Sequence, residues 1–338
     1  MSRALRAHSS AIQTLLRFAN EICAGCAPTS TPGLGVSTTS ASQQLPALGT
    51  SRVAWIDLSI GEGILGQAAF AAPGAPEARP LSGRPDALSV AVAGDDLVTA
   101  EDPPKVVRYD VQAQSSEVLD PDLSEGDVIV GVAGSAEGAA WLNLQAGEMR
   151  FVDAAGTVTS APYPPAAGAP FSIGAGGGTV VGGTEDGEII AWRPGSTPEI
   201  VGDAAGLVFS VDVHGDRAVA LLGAPGEYDA EVILIPLEGG SPQLLSETAS
   251  PFGVAMNERY VVWAQNVGQL RGAVAEAFDV GAPDTDLWLH SPGTGTTYEV
   301  LDARGQQGFP DIAGDRLVWQ DALLGGDDIF TGTLPRGL

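Results

Sequence analysis

Five carboxylates recur in this sequence at similar intervals: Glu148, Glu188, Glu231, Asp286 and Asp328. Each stands at or just before a short apolar run (MRFVD, IIAW, VILIPL, LWLH and IFTGTL), and Gln67 and Lys105 hold the matching place before AAFAA and VVRYDV. Carboxylates at one level of a ring could hold a cation or act as general acid and base. The same recurrence fits a repeated turn or strand-edge hydrogen bond whose members stand well apart. Asp284-x-Asp286 and Asp327-Asp328 look like pieces of calcium loops, but no distal Glu completes either, and turn-forming Asp explains them as well. Past residue 26 the only imidazoles are His214 and His290, and there is no thiol and no G-x-S-x-G elbow. Nucleophilic catalysis and zinc binding therefore lack residues. GAGGG at 174–178 has neither the Lys nor the helix of a phosphate loop. No catalytic residue, metal or cofactor is expected.

The recurrence has a larger unit behind it. LPALGTSRVAWID (Leu45–Asp57) aligns without a gap on FPDIAGDRLVWQD (Phe309–Asp321), and weaker copies start at Ser89, Ser135, Phe171, Ser210 and Phe252. The residues matching the terminal tryptophan are Trp55, Thr99, Trp141, Gly182, Ala220, Trp263 and Trp319, which lie 44, 42, 41, 38, 43 and 56 apart. A period of about 43 is that of a four-stranded propeller blade. The 45 glycines and 24 prolines become the punctuation between short strands. The sequence thus predicts an all-β, seven-bladed propeller of four-stranded antiparallel blades over 45–338. The blades fall at about 45–84, 85–124, 125–167, 168–205, 206–248, 249–306 and 307–338. A leader and low-complexity tether, disordered or briefly helical, occupies 1–44. The seventh copy has no fourth strand, and residues 35–39 are the candidate latch, a plain tether being the alternative. Trp55, Trp141, Trp263 and Trp319 read as packing between blades.

The run P-D-I-A-G-D-R-L-V-W-Q-D (residues 310–321) followed by D-D-I-F (residues 327–330) resembles the repeat of TolB-like β-propellers. The match is clear at residues 45–57 and loose elsewhere, with the tryptophan lost at Thr99, Gly182 and Ala220. The resemblance implies the propeller fold. Its family includes periplasmic translocation proteins, cell-surface proteins and propellers of peptidases, and six blades are usual in the first group.

Sixteen basic residues against 42 acidic ones give a net charge of −26, with Lys105 the only lysine. That excludes nucleic acid as a partner, since phosphate contacts need a basic patch. No run approaches the roughly 20 apolar residues of a membrane span. The leader has a basic start, and Cys23-Ala24-Gly25-Cys26 is similar to the site before a lipidated cysteine, which makes Cys26 a possible lipid anchor and places the protein in the periplasm or at the cell surface. An amphipathic helix over 5–22 and a cytoplasmic location are the alternative. The 56-residue interval carries an insertion between Gln265 and Asp284, whose LRGAVAEAF core could form a helical turn. Long loops on rigid scaffolds often bind, and Gln269, Arg271, Glu276 and Asp279 are its candidate contacts. The expected function is a non-catalytic, monomeric, extracytoplasmic module that recognises a protein partner through one propeller face. The alternatives are a propeller lyase or hydrolase with channel carboxylates, and a structural repeat without ligand.

Overall fold

A computed structural model describes residues 34–37, 43–58, 66–72, 79–81, 86–269, 283–302, 305–321 and 328–334. Residues 1–33, Cys26 among them, lie outside them; within the segment 1–44 expected to be disordered or briefly helical, residues 34–37 and 43–44 are strand instead. Every regular element among the described residues is a strand, because turn-formers interrupt the chain every few residues and leave no room for a helix.

The elements follow in chain order. β1 (Leu34–Ser37) precedes β2 (Gln43–Leu48), β3 (Val53–Asp57), β4 (Gln67–Ala71) and β5 (Arg79–Pro80). The second group is β6 (Ala87–Ala93), β7 (Asp96–Glu101), β8 (Lys105–Asp110) and β9 (Ser115–Val118). The third is β10 (Ile129–Gly134), β11 (Gly138–Asn143), β12 (Glu148–Asp153) and β13 (Val158–Pro162). The fourth is β14 (Pro170–Gly176), β15 (Thr179–Thr184), β16 (Glu188–Trp192) and β17 (Glu199–Asp203). Then come β18 (Leu207–His214), β19 (Arg217–Gly223), β20 (Ala230–Pro236), β21 (Gln243–Met256), β22 (Val261–Gln269), β23 (Pro283–Ser291) and β24 (Thr296–Leu301). The last are β25 (Gln307–Ala313), β26 (Arg316–Asp321) and β27 (Asp328–Thr333).

These strands build a β-propeller of six sheets, and this corrects the expectation of seven four-stranded blades. Five sheets have four strands, ordered β2-β3-β4-β5, β6-β7-β8-β9, β10-β11-β12-β13, β14-β15-β16-β17 and β1-β27-β26-β25, but β18 to β24 form one seven-stranded sheet. The cause is β21. Its first half pairs with β20 (Ile233↔Leu244) and its second with β22 (Ala255↔Val262), so one uninterrupted strand serves both neighbours. The boundary expected at 248/249 falls inside this strand, where Ala249 pairs with Ala230 on one side and Gln265 on the other. In the last sheet β1 is the edge strand, with Leu34↔Thr331 and Gly35↔Phe330 in register. A segment from before the first sheet thus completes the sheet made by the end of the chain.

Each inner strand carries one register shift, for instance between Ile129 and Val132, Val208 and Ser210, and Gly308 and Asp311. A bulge of this kind bends the strand and re-aims the side chains beyond it. At two of the bulges Leu45 (φ 54) and Phe309 (φ 48), each just before a proline, adopt the left-handed conformation, as Gly253 (φ 94) does in β21. Past the bulge the strand runs into a tight hairpin. Gly215 and Gly314 take the positive φ that a primed two-residue turn needs at its first central position.

Packing between sheets is apolar. Trp55, Trp141 and Trp263 are fully buried and Trp319 nearly so. Each fills the seam toward the preceding sheet or half-sheet: Trp55 against Val318 and Ile329, Trp141 against Val98 and Val106, Trp263 against Val219 and Leu221, Trp319 against Leu287 and Leu289. A buried tryptophan removes about 150–250 Å² from water, so these side chains dominate the cohesion of their seams.

Candidate functional site

The seven segments β2, β6, β10, β14, β18, the second half of β21, and β25 surround an axial channel of about 390 Å³, open at the end that carries their hairpins. Its wall is narrow because its residues are small. At one position, fixed by pairing to the second strand, Ala47, Ala91, Ala133, Gly174 and Ala255 correspond, and in the two remaining strands Asp212 and Asp311 stand there. A Cβ on Gly174 would lie 2.6 Å from the Cα of Asp212 and from the carbonyl oxygen of Val211, so the fourth inner strand can approach β18 only as glycine.

Both aspartates reach across a seam. The Met256 N–H of the next inner strand donates to Asp212 Oδ2 at 2.7 Å, and the Val213 N–H donates to Oδ1 at 2.8 Å. The Leu48 N–H of β2 donates to Asp311 Oδ2 at 2.6 Å, and the Ile312 N–H donates to Oδ1 at 2.7 Å. One carboxylate therefore links β18 to β21, the other closes β25 onto β2. Burial pushes Asp212 up to about 8, the charge of Asp311 adds to this, and the two N–H donors oppose it. Burial likewise raises Asp311 to about 6, against the donors from Leu48 and Ile312. Asp311 ionises first, and its charge then holds the proton on Asp212.

Serines stitch other seams. The Val132 N–H donates to Ser89 Oγ at 3.2 Å, and Ser172 Oγ donates to the Val208 carbonyl at 3.0 Å. Around the mouth, arginines do the same: Arg52 Nε donates to the Asp95 carbonyl at 2.9 Å, Arg217 to the Glu258 carbonyl at 3.3 Å, Arg259 pairs with Asp315, and Arg316 donates to the Thr50 carbonyl. None of these arginines lines the channel. Among the described residues the acidic members of the wall are Glu137, Asp212, Glu258 and Asp311, with His214 beside them and no Lys or Arg.

None of the five recurring carboxylates lines the channel. They lie at the other end of the ring, where second strands end and third strands begin, and their local roles differ. Glu148 pairs with Arg150 at 3.1 Å, and Arg150 also pairs with the buried Asp120, which accepts Trp141 Nε1 at 3.1 Å. Glu188 bonds Thr184, and Glu231 is exposed. Asp286 is buried within 4.8 Å of Glu299 and Asp302, which are exposed. Asp328 is buried opposite Asp321. Gln67 Nε2 donates to the Leu81 carbonyl at 2.8 Å, and Lys105 stays exposed opposite Glu101. His290 is buried, bonds Thr297 at 3.0 Å through Nδ1, and is pushed below its usual value by desolvation.

Strands β22 and β23 stay paired out to Gln269↔Pro283, so strand structure enters the expected insertion from both sides. Gln269 ends β22 at the end of the ring opposite the channel mouth; Arg271, Glu276, Asp279 and the expected helical turn lie outside the described residues. The two channel aspartates escape a reading of the sequence although a signal exists. Asp212 in SVDVHGDR and Asp311 in FPDIAGDR fall at one position of the repeat, where the other copies have Ala or Gly.

No protein-family model matches the chain, and no curated protein matches it. Solved structures do match in fold. An oligogalacturonate lyase from Vibrio parahaemolyticus aligns with a TM-score of 0.59 at 8% identity, over 93% of this chain and 96% of that one. The β-propeller domain of Cps50 (Swd1) from Myceliophteria thermophila gives 0.59 at 14% identity, over 90% and 100%. YCF48 bound to D1 peptide gives 0.57 at 12% identity, over 93% and 98%. At these identities the likeness is one of fold, and it agrees with the propeller described above.

Proposed function

We propose that the protein is a non-catalytic recognition module that takes a lysine or arginine side chain of a partner protein into the mouth of its axial channel. One observation carries this reading: among the described residues the channel wall has four carboxylates and neither Lys nor Arg. A cleft with walls of low dielectric focuses the field of those that are ionised, Asp212 keeping its proton up to about pH 8, and concentrates cations in it. The chain's −26 charge acts in the same direction at long range. Recognition through a propeller has a parallel in the fold neighbour bound to a peptide. Titration calorimetry with Gly-Lys-Gly tests the reading. The peptide should bind, should bind more weakly at higher salt, and should lose its affinity when the lysine is acetylated; equal binding of the acetylated peptide would contradict it.

A specific observation favours a second reading as an enzyme. Asp212 and Asp311 converge on one pocket with raised and separated pKa values, the arrangement expected of an acid and base pair. Each, however, already accepts two backbone N–H groups, and a polyanion such as the oligogalacturonate named for the fold neighbour would meet, among the described residues of the channel wall, carboxylates and neither Lys nor Arg. Release of unsaturated product from oligogalacturonate, read by ultraviolet absorbance, would turn the choice toward the enzyme.

The proposal extends to place and kinship. A TolB-like relationship is supported by the repeat at residues 309–330, and an extracytoplasmic, lipid-anchored location by the basic start and by Cys26 ahead of a Thr/Ser/Pro-rich tether. Cell fractionation with mass spectrometry of the mature N-terminus tests this; a cytosolic chain that retains Met1 would contradict it.

A further inference from the structure

The strand that completes the last sheet also brings the N-terminal part of the chain to the channel. Leu34 of β1 pairs with Thr331, Thr331 with Val318 and Val318 with Asp311, so Leu34 stands level with the channel aspartate, three strands out. At about 4.8 Å per strand that is roughly 14 Å. β27 climbs from Asp328 to Thr333, which pairs with Arg316 beside the Gly314 hairpin at the mouth. β1 runs antiparallel to it, from Leu34 down to Ser37, and the chain therefore enters β1 from the mouth side.

Charge makes the two ends of this arrangement complementary. The chain has 16 basic and 42 acidic residues, yet positions 1–33 hold Arg3, Arg6 and Arg17 against Glu21 alone. A cationic stretch thus precedes a strongly acidic remainder. The wall of the mouth has the acidic side chains of Glu137, Asp212, Glu258 and Asp311 and, among the described residues, no Lys or Arg. Arginines at the rim are bonded across seams, Arg217 to the Glu258 carbonyl and Arg316 to that of Thr50. Reach is ample. Arg17 precedes Leu34 by 17 residues, which span up to about 60 Å when extended, and the part next to β1, APTSTPG (residues 27–33), carries no charge. A segment held on the same chain meets its site at an effective concentration in the millimolar range, so even a weak contact becomes populated.

We infer that residues 1–33 dock on the mouth of their own channel through Arg3, Arg6 and Arg17 and compete there with the basic side chain of a partner. This rests on the reading of the mouth as a cation-binding site given above. All three arginines precede Cys26. A chain cleaved at that cysteine would carry an open channel, and a chain that keeps them an occupied one, so loss of the segment would switch recognition on.

The test uses the full chain, with Met1 confirmed by mass spectrometry. Phe18→p-benzoylphenylalanine places a photo-cross-linker beside Arg17. Irradiation should join it, within one molecule, to the mouth hairpins around Ser135, His214 or Asn257, and these products should vanish in the Arg3→Gln/Arg6→Gln/Arg17→Gln variant. Calorimetry supplies a second readout, in which Gly-Lys-Gly should bind that variant about tenfold more tightly than it binds the wild type. Cross-links confined to other surfaces, formed between two copies, or unchanged by loss of the arginines would overturn the docking. Equal affinity of the peptide for both chains would overturn it too, while leaving the mouth a cation-binding site. Peptide binding to neither chain, with the cross-links as expected, would uphold the docking and remove the reading of the mouth as a partner's site.

Discussion

Asp212 and Asp311 occupy the same position of two inner strands, and each carboxylate crosses a seam to accept the N–H of a neighbouring strand, from Met256 in one case and Leu48 in the other. Where the remaining inner strands pack through Ala and Gly, these two place ionisable groups in the channel wall. The framework and the proposed site therefore share the same atoms.

Stability should fall as pH rises toward 8. Asp212 titrates at about 8 in the folded chain against an ordinary 3.8, and Asp311 at about 6. Between roughly pH 4 and pH 8 the folded state holds protons that the unfolded state has released, so deprotonation favours unfolding. The melting temperature, read by near-ultraviolet circular dichroism, should drop from about pH 5 to about 8.5. Asp212→Asn should flatten the part between about 6 and 8. An identical slope in that variant would refute the assignment.

Gly174→Ala should destabilise by about 1–3 kcal/mol, the usual cost of forcing a methyl into a packed region. The new Cβ would lie 2.6 Å from the backbone of Asp212 and Val211, and neither can move without opening the seam. Gly126 is the control, since a Cβ added there meets nothing within 4 Å, and its alanine variant should stay within about 0.5 kcal/mol of wild type in urea unfolding.

Asp120→Ala should cost about 3 kcal/mol, because it leaves Arg150 and the indole N–H of Trp141 without their shared buried acceptor. Glu148→Ala should cost less than about 1 kcal/mol. Its side chain is 29% exposed, and Arg150 keeps Asp120. Comparable losses in the two variants would show that the recurring carboxylate matters more to this seam than its geometry implies.

The repeat made the propeller legible, since Trp55 and Trp319 end matching strands and sit in matching seams. The seven-stranded sheet was hidden because the repeat places a blade boundary at 248/249, while in the structure β21 runs on through that point and past Pro251, its ladder to β22 shifting register between Ala249 and Val254. The recurring acids were visible because they recur, but recurrence marked a hairpin position: Glu148 became an ion pair, Glu231 remained in water, and Asp328 went into a buried row. The channel aspartates were obscure for the opposite reason. A position that is Ala or Gly in most copies draws attention to close packing, and the two exceptions acquire meaning only when the strands are set around one axis.

The most direct test of the channel as a cation-binding mouth is calorimetric titration of Gly-Lys-Gly into the wild-type chain and into the Asp212→Asn/Asp311→Asn double variant at one ionic strength, with folding of both confirmed by circular dichroism. The account predicts binding to the wild type and at least a tenfold loss, about 1.4 kcal/mol, in the variant. Undiminished affinity in the folded double variant would contradict it.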